Sequence, residues 1–144
     1  MKIRPHAQVI ITHQGKLFCT KSHDSVKQED FYRTVGGGID FGELAADAIA
    51  REMQEEFAAD LVNLNQIGVD ENIFTYAGNP GHEIIFIFTA DFKDDSMYED
   101  KTYPILDSPS VPGATWHSIE KFVSGERILY PKAVLEFLKS KYEK

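Results

Sequence analysis

A single cysteine, Cys19, stands in a chain of 144 residues, so no internal disulfide can form, and a reducing compartment, the cytoplasm, is the expected setting. A surplus of cations is missing too: 23 acidic residues face 15 lysines and arginines, a net charge of −8. That balance argues against a broad basic surface, and no DNA partner is expected. It leaves phosphorylated small molecules open, because a bound divalent cation reverses the local sign. No apolar run approaches the ~18–20 residues of a membrane span, so no membrane partner is expected. The opening stretch, MKIRPHAQVIITHQGK, lacks the sustained apolar segment and cleavage-like site of a secretory leader. Repeats and low-complexity tracts are also absent.

What remains is an ordinary globular composition. With 42% hydrophobic residues the chain can build a core, and its length predicts a single domain over residues 1–144. His6–Thr12 and Lys16–Lys21 read as strands joined by a turn at His13-Gln14-Gly15. Ser22–Asp30 reads as a loop, and Phe31–Val35 as a short extended piece entering Gly36-Gly37-Gly38. Leu61–Tyr76 reads as one or two strands, with Val62, Leu64, Ile67 and Val69 as core candidates, followed by a turn at Ala77–Gly81.

His82–Phe92 contains the apolar run Ile84–Phe88, the pattern of a strand covered on both faces. Lys93–Gly113 is a long acidic loop with Pro104, Pro109 and Pro112, and Ala114–His117 is a short strand. Pro131–Tyr142 is an amphipathic helix with Val134, Leu135 and Leu138 on one face. Strands interleaved with two helices predict an α/β fold, a mixed sheet sandwiched between helices.

The densest signal lies between Gly37 and Ala59, GGIDFGELAADAIAREMQEEFAA, with a helix expected over Glu43–Ala58. At ~100° per residue, Ala45, Ala48, Ile49 and Met53 share one side of that helix. Glu52, Glu55 and Glu56 fall in an arc of about 100° that continues the same stripe. Like charges so placed repel, and desolvation raises the cost. A divalent cation removes the conflict, and carboxylate oxygens are hard ligands suited to Mg²⁺ or Mn²⁺ rather than zinc.

The segment resembles the Nudix box, G-x5-E-x7-R-E-U-x-E-E-x-G-U, with U a bulky aliphatic residue. Gly37, Glu43, Arg51, Glu52, Met53, Glu55 and Glu56 match, while Ala58 replaces a glycine and Ala59 an aliphatic residue. A glycine at position 58 would serve as a left-handed helix stop; alanine there costs about 1 kcal/mol, or the helix runs on. The resemblance implies the α/β/α Nudix fold and hydrolysis of a diphosphate linkage in a small nucleotide, with Mg²⁺ or Mn²⁺ as cofactor.

Within that resemblance, Glu55 and Glu56 are the principal expected metal ligands, Glu52 a further ligand or the base, and the Gly36 carbonyl an added ligand. Arg51 belongs to the catalytic set as the group that orients a box glutamate. Gly37, Gly38 and Glu43 are assigned to substrate binding beside the metal, Glu43 having a structural role as its equal alternative. The base is a box glutamate or lies outside the box, where Glu83 leads and His82, Glu99 and Asp100 follow. Tyr32 and Tyr76, with Phe31 and Phe74, are candidates to stack on a base, each against the alternative of core or sheet surface.

Tyr76 lies at a distance from the box where some relatives acting on dinucleoside polyphosphates carry a tyrosine. The proline typical of relatives acting on ADP-ribose is missing near it. Trp116 is read as packing the terminal helix on the sheet, and Cys19 as core. Three alternatives stay open: an RNA 5′-end pyrophosphohydrolase, a non-catalytic nucleotide sensor of the same fold, and an isomerase. A homodimer, through the acidic loop or an edge strand, is compatible with the sequence.

Overall fold

The computed structural model describes residues 1–142. The chain runs β1 (Arg4–Ile10), β2 (Thr12–His13), β3 (Lys16–Asp24), β4 (Glu29–Gly38), α1 (Ala45–Phe57), β5 (Leu61–Tyr76) and β6 (Asn79–Phe92). A 3₁₀ turn (Asp95–Tyr98) follows, then β7 (Ala114–Ser118), α2 (Ile119–Val123), β8 (Leu129–Tyr130) and α3 (Lys132–Tyr142). The strand order is β2-β3-β4-β1-β6-β5, with β7 on β3 and β8 on β4. The pairs β1–β6 and β4–β8 are parallel and the others antiparallel, so the sheet is mixed.

Each face of the sheet carries a helical layer. Ala7, Val9, Phe18, Val35 and Phe88 pack with Ala48, Ile49, Met53 and Phe57 of α1. Ile10, Leu17, Cys19, Ile85 and Ile87 pack with Ile119 and Phe122 of α2 and Val134 and Leu138 of α3. The apolar run in β6 therefore divides by period two, Phe86 and Phe88 to one layer and Ile85 and Ile87 to the other. Cys19 is fully buried, and burial pushes its thiol pKa upward.

Several boundaries differ from the sequence reading. β3 and β4 extend across most of Ser22–Asp30, leaving a short turn where a loop was expected. Asp24 explains this: its buried carboxylate accepts from the N–H groups of Val26 and Lys27 and closes the turn. The turn after β5 is confined to Ala77-Gly78, and His82 is a strand residue paired with Ile73.

Ile67 and Val69 are exposed, contrary to their reading as core. β5 is the terminal strand, two register shifts interrupt its pairing, and of its side chains only Leu61 and Leu64 reach the core beneath α1. Trp116 packs on the α1 side, stacked on Tyr98 with its indole N–H on the Met97 carbonyl, so it does not seat the terminal helix. Alternation along β7 sends it to that face.

Helix α1 starts at Ala45, later than expected, and ends at Ala58, which adopts the left-handed conformation at φ 52° and ψ 38°. The Ala58 and Ala59 N–H groups close the end on the Gln54 and Met53 carbonyls. A non-glycine residue is thus held where its Cβ crowds the following carbonyl. Ala58→Gly is expected to raise the unfolding free energy by about 1 kcal/mol in denaturant titration. An unchanged or lower value would show that the left-handed cap carries no such cost.

Candidate active site

Strand β4 ends in Gly36-Gly37-Gly38 directly against α1. At Gly36 a Cβ would overlap the Ala7 carbonyl, and at Gly37 it would overlap the carboxyl group of Glu52. Only glycine lets the strand backbone lie this close to the acidic face of the helix. Pairing of Val35–Gly38 with His6–Val9 of β1 fixes that position.

Arg51 organises the charges there. Its Nε donates to Glu43 Oε2 at 2.8 Å and its Nη2 to Glu43 Oε1 at 3.0 Å, a two-pronged bond. Nη2 also reaches the Gly38 carbonyl at 2.9 Å, while Nη1 reaches Glu52 at 3.0 Å and Glu55 at 3.2 Å. Glu43 in turn accepts the Asp40 N–H, which ties the β4–α1 loop together. The Arg51 bond holds the Glu43 pKa down at about 2, and the acids raise that of Arg51.

Glu56 is placed differently. Its Oε1 is buried and, among the described residues, has no hydrogen-bond partner. Burial first, then the charges of Glu52, Asp107 and Glu55, push its pKa up to about 8. Burial also raises Glu52, against the opposing pull of Arg51. Asp107 was missed by sequence reasoning, which singled out Glu99 and Asp100 in the same loop. Those two pair with Lys101 and Lys16, and neither bonds to α1. The loop folds onto α1 through a backbone bond, Leu106 N–H to the Glu56 carbonyl at 2.8 Å. No side-chain pattern reports such a bond, so the sequence holds no signal for Asp107.

Among the described residues, no three Asp, Glu, His or Cys side chains stand together as a closed cation cage. Arg51 engages Glu52 and Glu55 instead. The donor set nevertheless fits a hard divalent cation: it is all carboxylate, it repels itself, and it includes a buried oxygen lacking any partner. Glu52, Glu55 and Glu56 are the groups that would hold it, and the expected Gly36 carbonyl belongs to the strand whose next residue, Gly37, abuts Glu52.

The structure does not bring every predicted residue to this point. Glu83 is buried on β6, where it accepts from Arg33 Nη2 at 2.8 Å and lies 3.9 Å from His6, with no bond to a box residue. Tyr32 is buried among Leu129, Phe122 and His117, its ring edge-on to the latter two, and offers no face to a base. Its position in β4 points it to the α2–α3 layer.

Tyr76 is half exposed, edge-on to Phe31 at 5.8 Å, with its hydroxyl on the His23 carbonyl. Phe31, Phe74, Tyr76 and Tyr130 line a cavity of about 450 Å³ that Arg33 also borders.

A family model described as NUDIX domain matches residues 2–137. Solved structures with the same fold include a MutT NUDIX hydrolase from Burkholderia pseudomallei, at 17% identity and TM-score 0.63, covering 83% of this chain and 86% of that one. A NUDIX hydrolase from Nitrosomonas europaea matches at 17% identity and TM-score 0.66, over 98% and 89% of the two chains. The dihydroneopterin triphosphate pyrophosphohydrolase of E. coli matches at 15% identity and TM-score 0.66, over 96% and 97%. No curated protein matches the chain.

The raised Glu56 pKa carries a stability consequence. Between the ordinary value of 4.5 and about 8, the folded, metal-free protein keeps a proton that the unfolded chain releases. That contribution is complete below 4.5 and is lost as pH rises through about 8. The Tm of metal-free protein is expected to fall between pH ~5 and ~8 more steeply than that of Glu56→Gln, which has no carboxyl to titrate there. Equal slopes in a thermal scan would refute the assignment.

Proposed function

The chain belongs to the NUDIX domain family and is a Nudix pyrophosphohydrolase, and from that premise we propose that it hydrolyses the diphosphate linkage of a small nucleotide with Mg²⁺ or Mn²⁺. The substrate class proposed is a nucleoside triphosphate, a nucleoside diphosphate joined to a further group, or a dinucleoside polyphosphate. One observation carries the reading: the buried, partnerless Glu56 oxygen set among Glu52, Glu55 and Asp107. A site built only for folding would pair that oxygen or leave it in water.

Placement supports the following roles. Glu55 and Glu56 are the main ligands, and Glu52 and the Gly36 carbonyl complete the set. A bound divalent cation would neutralise phosphate oxygens and lower the pKa of water. Arg51 orients Glu52 and Glu55 through its bonds to both, and its hold on Glu43 and Gly38 keeps the loop in register. Glu52, with its raised pKa, is the group proposed to take a proton from water. Gly37 and Gly38 let phosphate approach the backbone, since a side chain at Gly37 would displace Glu52.

The test is turnover of a panel of nucleoside triphosphates, nucleotide sugars, ADP-ribose and dinucleoside polyphosphates with Mg²⁺. The double change Glu55→Gln/Glu56→Gln is expected to lower kcat/KM by on the order of 10³-fold, because a metal Lewis acid supplies several kcal/mol to the transition state. Cleavage that survives the change would sink the metal site. Cleavage of 5′-triphosphorylated RNA alone would move the substrate to a polymer.

A further inference from the structure

Outside the box, the most heavily built polar cluster lies where β1, β4 and β6 meet. Arg33 carries five N–H donors. The Gln8 amide is oriented with its oxygen toward Arg33, since only that orientation sets an acceptor against the donors; it then accepts from Nε at 2.8 Å and Nη2 at 2.9 Å. Nη2 also donates to Glu83. Gln8 is 1% and Glu83 7% exposed, so two buried acceptors fix the guanidinium plane.

The Gln8 nitrogen passes on to Thr34 Oγ1, also buried. His6 adds no second cation at neutral pH: burial, then the Arg33 charge, pushes its pKa down to about 4. Among the described residues, the two hydrogens of Nη1 have no acceptor, and Arg33 borders the 450 Å³ aromatic cavity.

We propose that Arg33 is the specificity residue of that cavity, its Nη1 receiving a ring carbonyl of the substrate base, and that Glu83 and Gln8 are positioning residues that aim it. The inference rests on the nucleotide hydrolase reading above. Burying an ion pair costs desolvation, and rigid aim is what such a pair supplies here. Phe31, Phe74, Tyr76 and Tyr130 offer aromatic contacts to a planar ring, and Lys27 and Lys132 line the same cavity, balanced by Asp24 and Glu29. Guanidinium has donors only, so it accepts a 6-oxo purine or 4-oxo pyrimidine and opposes an amino group at that position. Arg33 lies four residues before Gly37, ~13 Å along an extended strand, so β4 places ring and phosphates at opposite ends of one nucleotide.

Inosine and adenosine triphosphates differ at the 6-oxo group and make the test. Kinetics and calorimetric binding, the latter with Ca²⁺, are read for wild type, Arg33→Ala, Arg33→Lys, Glu83→Gln and Glu83→Ala, each checked for native circular dichroism. Wild type is expected to prefer the inosine nucleotide roughly tenfold or more in kcat/KM, as for a lost hydrogen bond to a charged group. Arg33→Ala should bring the ratio near one by raising KM for inosine, with kcat little changed. Arg33→Lys keeps the charge but not the planar fork, and should recover only part.

Glu83→Ala should match Arg33→Ala, and the double change should add nothing further. Glu83→Gln, which retains an acceptor, should keep part of the preference. A ratio unmoved in Arg33→Ala overturns the proposal. So does an equal weakening of both nucleotides together with lost inhibition by tripolyphosphate, which would make Arg33 a phosphate ligand. Loss of kcat and of one limb of its pH profile in Glu83→Gln, with the ratio intact, would make Glu83 the base and overturn its positioning role. Arg33-dependent binding preference without turnover would overturn the hydrolase reading and leave this one standing. No binding and no turnover would overturn both.

Discussion

One guanidinium holds the acidic end of the molecule together. Arg51 bonds Glu43, Glu52, Glu55 and the Gly38 carbonyl, and so joins the end of β4, the β4–α1 loop and the first three turns of α1. Without that cation, carboxylates crowded on a half-buried helix face would oppose the packing of α1 on the sheet. The glycines of β4 are the geometric counterpart. They bring the backbone so near that Glu52 fills the space a Cβ would take at Gly37. The charge compensation stops short of Glu56, and there the molecule keeps an unmet demand for a cation or a proton.

Two polar clusters along β4 handle buried polarity in different ways. Toward α1, several acids share one cation and leave an oxygen without a partner. At the β1–β4–β6 junction, one cation is saturated on two edges by buried acceptors and open on the third. The first arrangement suits a group that changes partners during a reaction. The second suits a group that must not move. Both hang on β4, whose residues Arg33 to Gly38 pass from one to the other.

Much of the architecture was legible beforehand because it rests on local periodicity. The apolar run of β6 announced a strand covered on both faces, and the phase of α1 announced that Glu52 and Glu56 follow the buried stripe. Legibility ended where neighbours decide. Ile67 and Val69 look like core but sit on a terminal strand beyond the helix. Tyr32 looks available for stacking but alternation along β4 buries it. Ala58 could have extended the helix; instead it stops it.

By itself the sequence determined most of the strands, the two longer helices, the acidic helix face and the family signature, because each depends on residues a few positions apart; it left α2 and β8 unread. The tertiary structure alone decided which charges meet. Asp107 comes to α1 through a backbone bond, and Glu83 comes to Arg33 from a distant strand through side-chain packing, with no sequence periodicity linking them. Electrostatic coupling depends on distance and burial, and both are set only when the loop and the sheet close around the helix.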